Sequence, residues 1–169
     1  YILTKDGKTL VLCRNHNIPD GVTCIIGGAF RGYSSLESIV IPDGVNTIAE
    51  CAFMGCTGLK SIVIPDSVTK IEGWAFDGCT SLQSIVIPDS VTTIAHNAFC
   101  DCISLQSITI ATQEKRPDMS REKIEYLLQE LSEYLKEISL RVPIGCGYAY
   151  RHHTAFEGKF KTIIADIDA

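Results

Sequence analysis

IPDGV at residues 18–22 returns as IPDGV at 41–45, IPDSV at 64–68 and IPDSV at 87–91, with the same interval each time. The four units laid in register are IPDGVTCIIGGAFRGYSSLESIV, IPDGVNTIAECAFMGCTGLKSIV, IPDSVTKIEGWAFDGCTSLQSIV and IPDSVTTIAHNAFCDCISLQSIT. Apolar side chains fall in the same columns each time. A repeat this short is one coil of a solenoid, because a single unit cannot bury enough apolar surface to offset the entropy of ordering itself.

The columns show which residues face inward. Leu36/Leu59/Leu82/Leu105, Ile39/Ile62/Ile85/Ile108 and Ile41/Ile64/Ile87/Ile110 give the spacing Leu-x-x-Ile-x-Ile, which puts two isoleucines of each coil on one side of a strand. A second inward set follows: Val22/Val45/Val68/Val91, Ile25/Ile48/Ile71/Ile94, and the Ala-Phe pairs ending at Phe30, Phe53, Phe76 and Phe99. Between the sets, Pro-Asp-Gly or Pro-Asp-Ser predicts a turn: Pro fixes φ, Asp bonds nearby backbone, and Gly or Ser tolerates the bend.

These residues resemble the BspA-like subclass of leucine-rich repeats. The pattern Leu-x-x-Ile-x-Ile-Pro-x-Ser-Val-x-x-Ile-x-x-x-Ala-Phe-x-x-Cys carries the resemblance over roughly residues 1–111. It implies a solenoid with parallel strands on one face, and a place on a bacterial or protozoan surface or in a secreted protein. It also implies a binding or adhesion role toward a protein or glycan ligand, such as a host or matrix protein, with no catalytic residues to carry over. The chain departs from the standard leucine-rich repeat in lacking its Asn ladder, since Gly44, Ser67 and Ser90 stand near that position.

Composition predicts a soluble, core-forming chain: 169 residues, 46% apolar, formal charge −5. No apolar run has the length of a membrane span, and no basic stretch points to nucleic acid. The chain opens on Tyr1 rather than Met, as expected where an upstream segment, for instance a signal peptide, has been removed or omitted.

Three regions follow. Residues 1–17 hold two apolar stretches around Asp6-Gly7, an N-terminal hairpin suited to capping the first coil; 18–111 are the four repeats. From Thr112 the period stops and charge density rises, with more than half of the chain's charged side chains lying between Thr112 and Ala169. There Ile124, Leu127, Leu128, Leu131, Leu135 and Ile138 fall at helical spacing between Pro117 and Pro143. They predict an amphipathic helix near residues 120–138, so 112–169 is expected to be a C-terminal α-helical extension covering the open edge of the fourth coil.

Eight cysteines invite other readings. Cys56, Cys79 and Cys102 share one column, with Tyr33 in the first coil. An inter-coil disulfide or a metal site is one reading. A small buried side chain filling a corner is preferred, because three equivalent members have no natural pairing. Cys100-Asp101-Cys102 alone is a weak metal signal, and no cofactor or metal is assigned. Cys146 between two glycines, near His152 and His153, is the one group that suggests chemistry, as a nucleophile-base pair of a hydrolase or a partial zinc site. His16 and His96 are expected in exposed loops.

Strand alternation sends Ser38, Val40, Ser61, Val63, Ser84, Val86, Ser107 and Thr109 outward. This row of small uncharged side chains is the expected binding face. Glu37, Lys60, Gln83 and Gln106 vary along its rim, and Trp74, in the variable column with Gly28, Cys51 and Asn97, is a further contact candidate on the outer corner or a locally packed ring. The expected function is non-enzymatic recognition, with a structural spacer in a longer surface protein, or more distantly a Cys/His hydrolase in the C-terminal segment, as alternatives.

Overall fold

The computed structural model describes residues 1–111 in full and, further on, the backbone of two strands, Ser139–Val142 and Thr162–Ala165. Each coil makes one strand in each of two faces. On the first face the coils supply β4 (Ser38–Val40), β6 (Ser61–Val63), β8 (Ser84–Ile87) and β10 (Ser107–Ile110). On the second they supply β3 (Cys24–Ile25), β5 (Thr47–Ile48), β7 (Lys70–Ile71) and β9 (Thr93–Ile94). Every strand pairing between coils is parallel and in register, so Ile39 faces Ile62, Ile85 faces Ile108 and Ile48 faces Ile71.

The residues preceding the first repeat form an antiparallel pair, β1 (Ile2–Leu3) with β2 (Thr9–Leu12). Gly7 closes its turn at φ 71, donating its N–H to the Thr4 carbonyl at 2.9 Å. β2 then pairs in parallel with β3, the first-coil strand, which gives the second sheet the order β1-β2-β3-β5-β7-β9.

The inward columns are buried in all four coils. Phe30, Phe53, Phe76 and Phe99 stack with ring centroids 4.8, 5.4 and 5.2 Å apart and planes within 14° of parallel. Identical side chains at identical positions repeat at the coil spacing, which stacked rings can span.

The corner carrying these rings needs a left-handed backbone at two points. One column is Gly28, Cys51, Trp74 and Asn97, at φ 72, 57, 54 and 61; the other is Gly32, Gly55, Gly78 and Asp101, at φ 67, 70, 68 and 52. The conformation directs N–H groups at the next coil: Gly28 donates to Glu50, Cys51 to Gly73, Gly32 to Met54, Gly55 to Asp77 and Gly78 to Cys100, at 2.7–3.1 Å. Glycine adopts this backbone freely, whereas a larger residue held there stores strain of about 1–3 kcal/mol.

Side chains supply the ladders that the missing asparagines would have made. Ser67 Oγ donates to the Val45 carbonyl at 2.8 Å and Ser90 Oγ to that of Val68 at 2.7 Å. The thiols of Cys56, Cys79 and Cys102 donate to the Phe30, Phe53 and Phe76 carbonyls at 3.1, 3.2 and 3.1 Å. Each is therefore a buried filler with one directional bond to the coil before it. All the cysteines among the described residues are free thiols.

The end of the stack departs from expectation. The helix predicted near 120–138 lies outside the described residues, but the edge it was to protect is taken by a strand. β11 (Ser139–Val142) pairs in parallel with β10, Ser107 facing Ser139 and Thr109 facing Arg141, and β12 (Thr162–Ala165) pairs with β11. The first face thus runs two strands past the last regular repeat, because a parallel neighbour in register satisfies the edge N–H and C=O groups that a helix would leave bare.

Two outcomes follow. Burial pushes the Cys56 thiol up to about 11 and that of Cys102 to about 12, and it raises Cys79 as well, with the neighbouring thiols adding to the Cys79 shift. In mildly alkaline buffer these groups stay protonated and shielded, so iodoacetamide should spare all three in the native protein and modify all three after unfolding without reductant. Mass spectrometry reads this directly, and a persistent disulfide mass would refute it. A chain ending at Ala111 loses β11 and β12, and it is expected to melt several degrees lower and to associate in light scattering. An unchanged melting temperature and a monomeric profile would show the two strands to be dispensable.

Candidate functional site

The first face follows from a two-residue period. Along β4, β6 and β8 the middle isoleucine is buried and the residues on either side of it are exposed. Val40, Val63 and Val86 keep 63%, 57% and 52% of their surface accessible, and Ser38, Ser61 and Ser84 form the parallel row beside them. Ser107 and Thr109 continue both rows in β10 but are half-buried. At the register positions beyond them the sequence places Ser139 and Arg141, then Thr162 and Ile164. The face so formed is small-residued and uncharged through its first three coils.

At the rim, Glu37, Lys60, Gln83 and Gln106 are all exposed at the entry to their strands. Lys60 Nζ reaches Glu37 Oε2 at 2.9 Å. This bond, with the lysine charge, holds the Glu37 carboxyl below its ordinary range. Both partners sit in water, so the pair orients two side chains along the rim more than it stabilises the fold.

The strand ladder under this face is in two pieces. β4 bonds to β6, and β8 bonds to β10 with β11 and β12 beyond it, but the two groups are not joined as one sheet, whereas the second sheet is continuous across the same coils. Ile62 and Ile64 are correspondingly less shielded than Ile85 and Ile87. Nothing in the repeat sequence marks this interruption, because both coils carry the same Ser-Ile-Val-Ile-Pro run.

Trp74 does not belong to the strand face. It lies on the corner after β7, in the left-handed column, with 42% of its surface exposed. The turn that begins at it is closed by the Asp77 N–H donating to the Trp74 carbonyl at 3.1 Å. On the same corner the repeat register sets Asp77 beside Cys100, and with Asp101 their ligand atoms come within 4.8 Å of one another. Burial, then the Asp101 charge, raises the Asp77 carboxyl, and burial also raises the Cys100 thiol. The structure divides the Cys100-Asp101-Cys102 run: Cys100 joins the acidic pair while Cys102 turns inward to the thiol ladder. Exposed acids gather in this way without an ion, and among the described residues no fourth ligating group joins the trio.

A contact the repeat pattern does not announce lies at the first coil. Tyr33 stands where later coils have Cys, and its hydroxyl is 3.4 Å from His16 Nε2, with the Arg14 guanidinium 5.8 Å from its ring centroid. The one clue in the sequence is the break in the cysteine column. His16 and His96 are exposed. Cys146, His152 and His153, and with them the hydrolase and zinc readings, lie outside the described residues. Among the described residues no helix is long and apolar enough to cross a membrane.

Comparison with known proteins places this geometry. A profile of the BspA type leucine rich repeat region matches residues 11–118, in six copies. A search of curated proteins finds no match. Among solved structures, a leucine rich cell surface protein from Faecalibacterium prausnitzii is 44% identical, the likeness covering 54% of this chain and 24% of that one with a TM-score of 0.52. A leucine-rich repeat protein from Bacteroides ovatus is 31% identical, covering 75% of this chain and 30% of that one with a TM-score of 0.56. The pneumococcal vaccine antigen PcpA, 16% identical, shares the fold over 98% of this chain and 46% of its own length, with a TM-score of 0.69. The chain spans less than half the length of each of these three proteins. Its four coils and their inward columns fall inside the matched span, and the chain belongs to the BspA-type leucine-rich repeat family.

Proposed function

We propose that the chain is a non-enzymatic recognition module that binds a protein or glycan partner through the face of β4, β6, β8 and β10, in a secreted protein or at a cell surface. One observation carries the reading: Val40, Val63 and Val86 form a row of exposed apolar side chains on an uncharged sheet face. Branched side chains so exposed contribute little to folding, and a contiguous apolar row rimmed by polar residues is the usual mark of a contact surface. Small neighbours at Ser38, Ser61 and Ser84 let an extended partner approach the sheet closely. The surface placement is supported by the printed description of the F. prausnitzii relative as a cell surface protein.

Charge placed in the centre of this row tests the reading. A variant carrying Val63→Lys and Val86→Lys should keep its melting temperature within a few degrees, because both side chains point away from the core. In surface capture against immobilised matrix proteins and a glycan array, the binding seen with the unaltered chain should fall at least about tenfold. Capture that is unaffected in the folded variant rules out the strand face, and a chain that captures nothing in either form favours a spacer.

A further inference from the structure

Trp74 occupies a position where the backbone penalises it. Its φ is 54, in a column where the first coil has Gly28 and the fourth has Asn97, the residue types that adopt the left-handed region most readily. The largest side chain in the sequence is held in the least suitable backbone, and 42% of it remains in water. An indole kept there for packing would be expected to bury itself more completely, as the Phe ladder does further along the same corner.

Its electrostatic surroundings are one-sided. Glu72 precedes it by two positions, its Oε2 accepting the Glu50 N–H at 3.0 Å, and Cys51 of that coil donates to the Gly73 carbonyl at 3.1 Å. Asp77 closes the turn on the other side and stands with Asp101. Glu50, Glu72, Asp77 and Asp101 make no ion pair among the described residues, and Lys70 in β7 is the one lysine or arginine on the corners of these three coils. Burial, and after it the Asp101 charge, disfavours ionisation of Asp77, so a positive charge brought to the corner would favour the carboxylate.

We infer that the Trp74 corner is a second contact surface, which takes an arginine or lysine side chain of a protein partner against the exposed indole, in a turn that also carries Glu72 and Asp77. An indole presents the strongest aromatic face to a cation, and carboxylates of the same turn offer the hydrogen-bond acceptors that a guanidinium fork requires. A neutral sugar would use the ring but not the carboxylates of the same turn. The inference does not depend on the strand face, which is a different surface of the coil.

Trp74 is the only tryptophan, so its emission reports on this site alone. Titration with an oligo-arginine peptide should change that emission saturably, with an affinity that falls as salt is raised. Trp74→Gly, which restores the residue of the first coil, should weaken binding of the labelled peptide about tenfold in fluorescence anisotropy while leaving the melting temperature equal or higher. Trp74→Asn, the residue of the fourth coil, should behave in the same way, and Glu72→Gln should weaken the peptide with the indole intact. The inference is overturned if both Trp74 variants bind the peptide as the parent does, if both melt lower than the parent, or if a neutral chito-oligosaccharide shifts the emission and the peptide does not.

Discussion

Everything in this molecule depends on neighbouring coils standing in register, each residue over its equivalent in the next unit. Parallel pairing at that offset aligns Ile39 with Ile62 and Ile85 with Ile108, so each inward side chain meets its own kind above and below. The register also fixes the polar bonds. Thiol, hydroxyl and left-handed backbone N–H groups all donate from one coil to a carbonyl of a neighbour. A single insertion inside a coil would move all of these at once, and no local rearrangement would restore both the Phe stack and the hydrogen bonds.

The same constraint explains what the sequence disclosed and what it hid. Inward columns were legible because burial demands the same residue class at each return, and Leu36, Ile39, Ile41, Val45, Ile48 and Phe53 are all buried as their periodicity predicts. The left-handed corner was half legible. Gly32, Gly55 and Gly78 carry its signature, but Cys51, Trp74, Asn97 and Asp101 conceal it, since the neighbouring coils can impose a backbone that these residues alone would avoid. β11 and β12 were missed for a different reason. Ser139-Leu140-Arg141-Val142-Pro143 echoes Ser84-Ile85-Val86-Ile87-Pro88, and Thr162 follows Ser139 at the repeat interval. Counted on from Ser107, however, that interval falls at Glu130 and not at Ser139, the residue that pairs with Ser107. The lengthened interval, with its helical spacing of leucines, masks the return of the period.

For the candidate site, alternation along a strand was enough to place Ser38, Val40 and their equivalents on the surface. It was not enough to show that the ladder of the first face is interrupted between β6 and β8, and the variable column that put Trp74 on the outer corner did not show that its backbone there is left-handed. Both depend on backbone geometry between coils, which a column of identical letters does not encode. The half-burial of Ser107 and Thr109 is likewise not written in the column, since Ser107 repeats Ser84, which is exposed.

A division of labour between columns emerges from these contrasts. Inward positions are occupied by the register, so their freedom to vary is limited by the stack. Outward positions are constrained only by solubility and by whatever they touch, and they differ from coil to coil at the rim, where Glu37, Lys60, Gln83 and Gln106 change charge and length along one line. The valine row is the exception, because it repeats as faithfully as a core column while remaining exposed. Repetition without burial is not required by the fold: strand propensity would be served equally by threonine, which the fourth coil uses at Thr109. An apolar row repeated at three successive coils is therefore the feature on which the proposed contact face rests: a partner lying across several coils would gain the same small increment of contact from each.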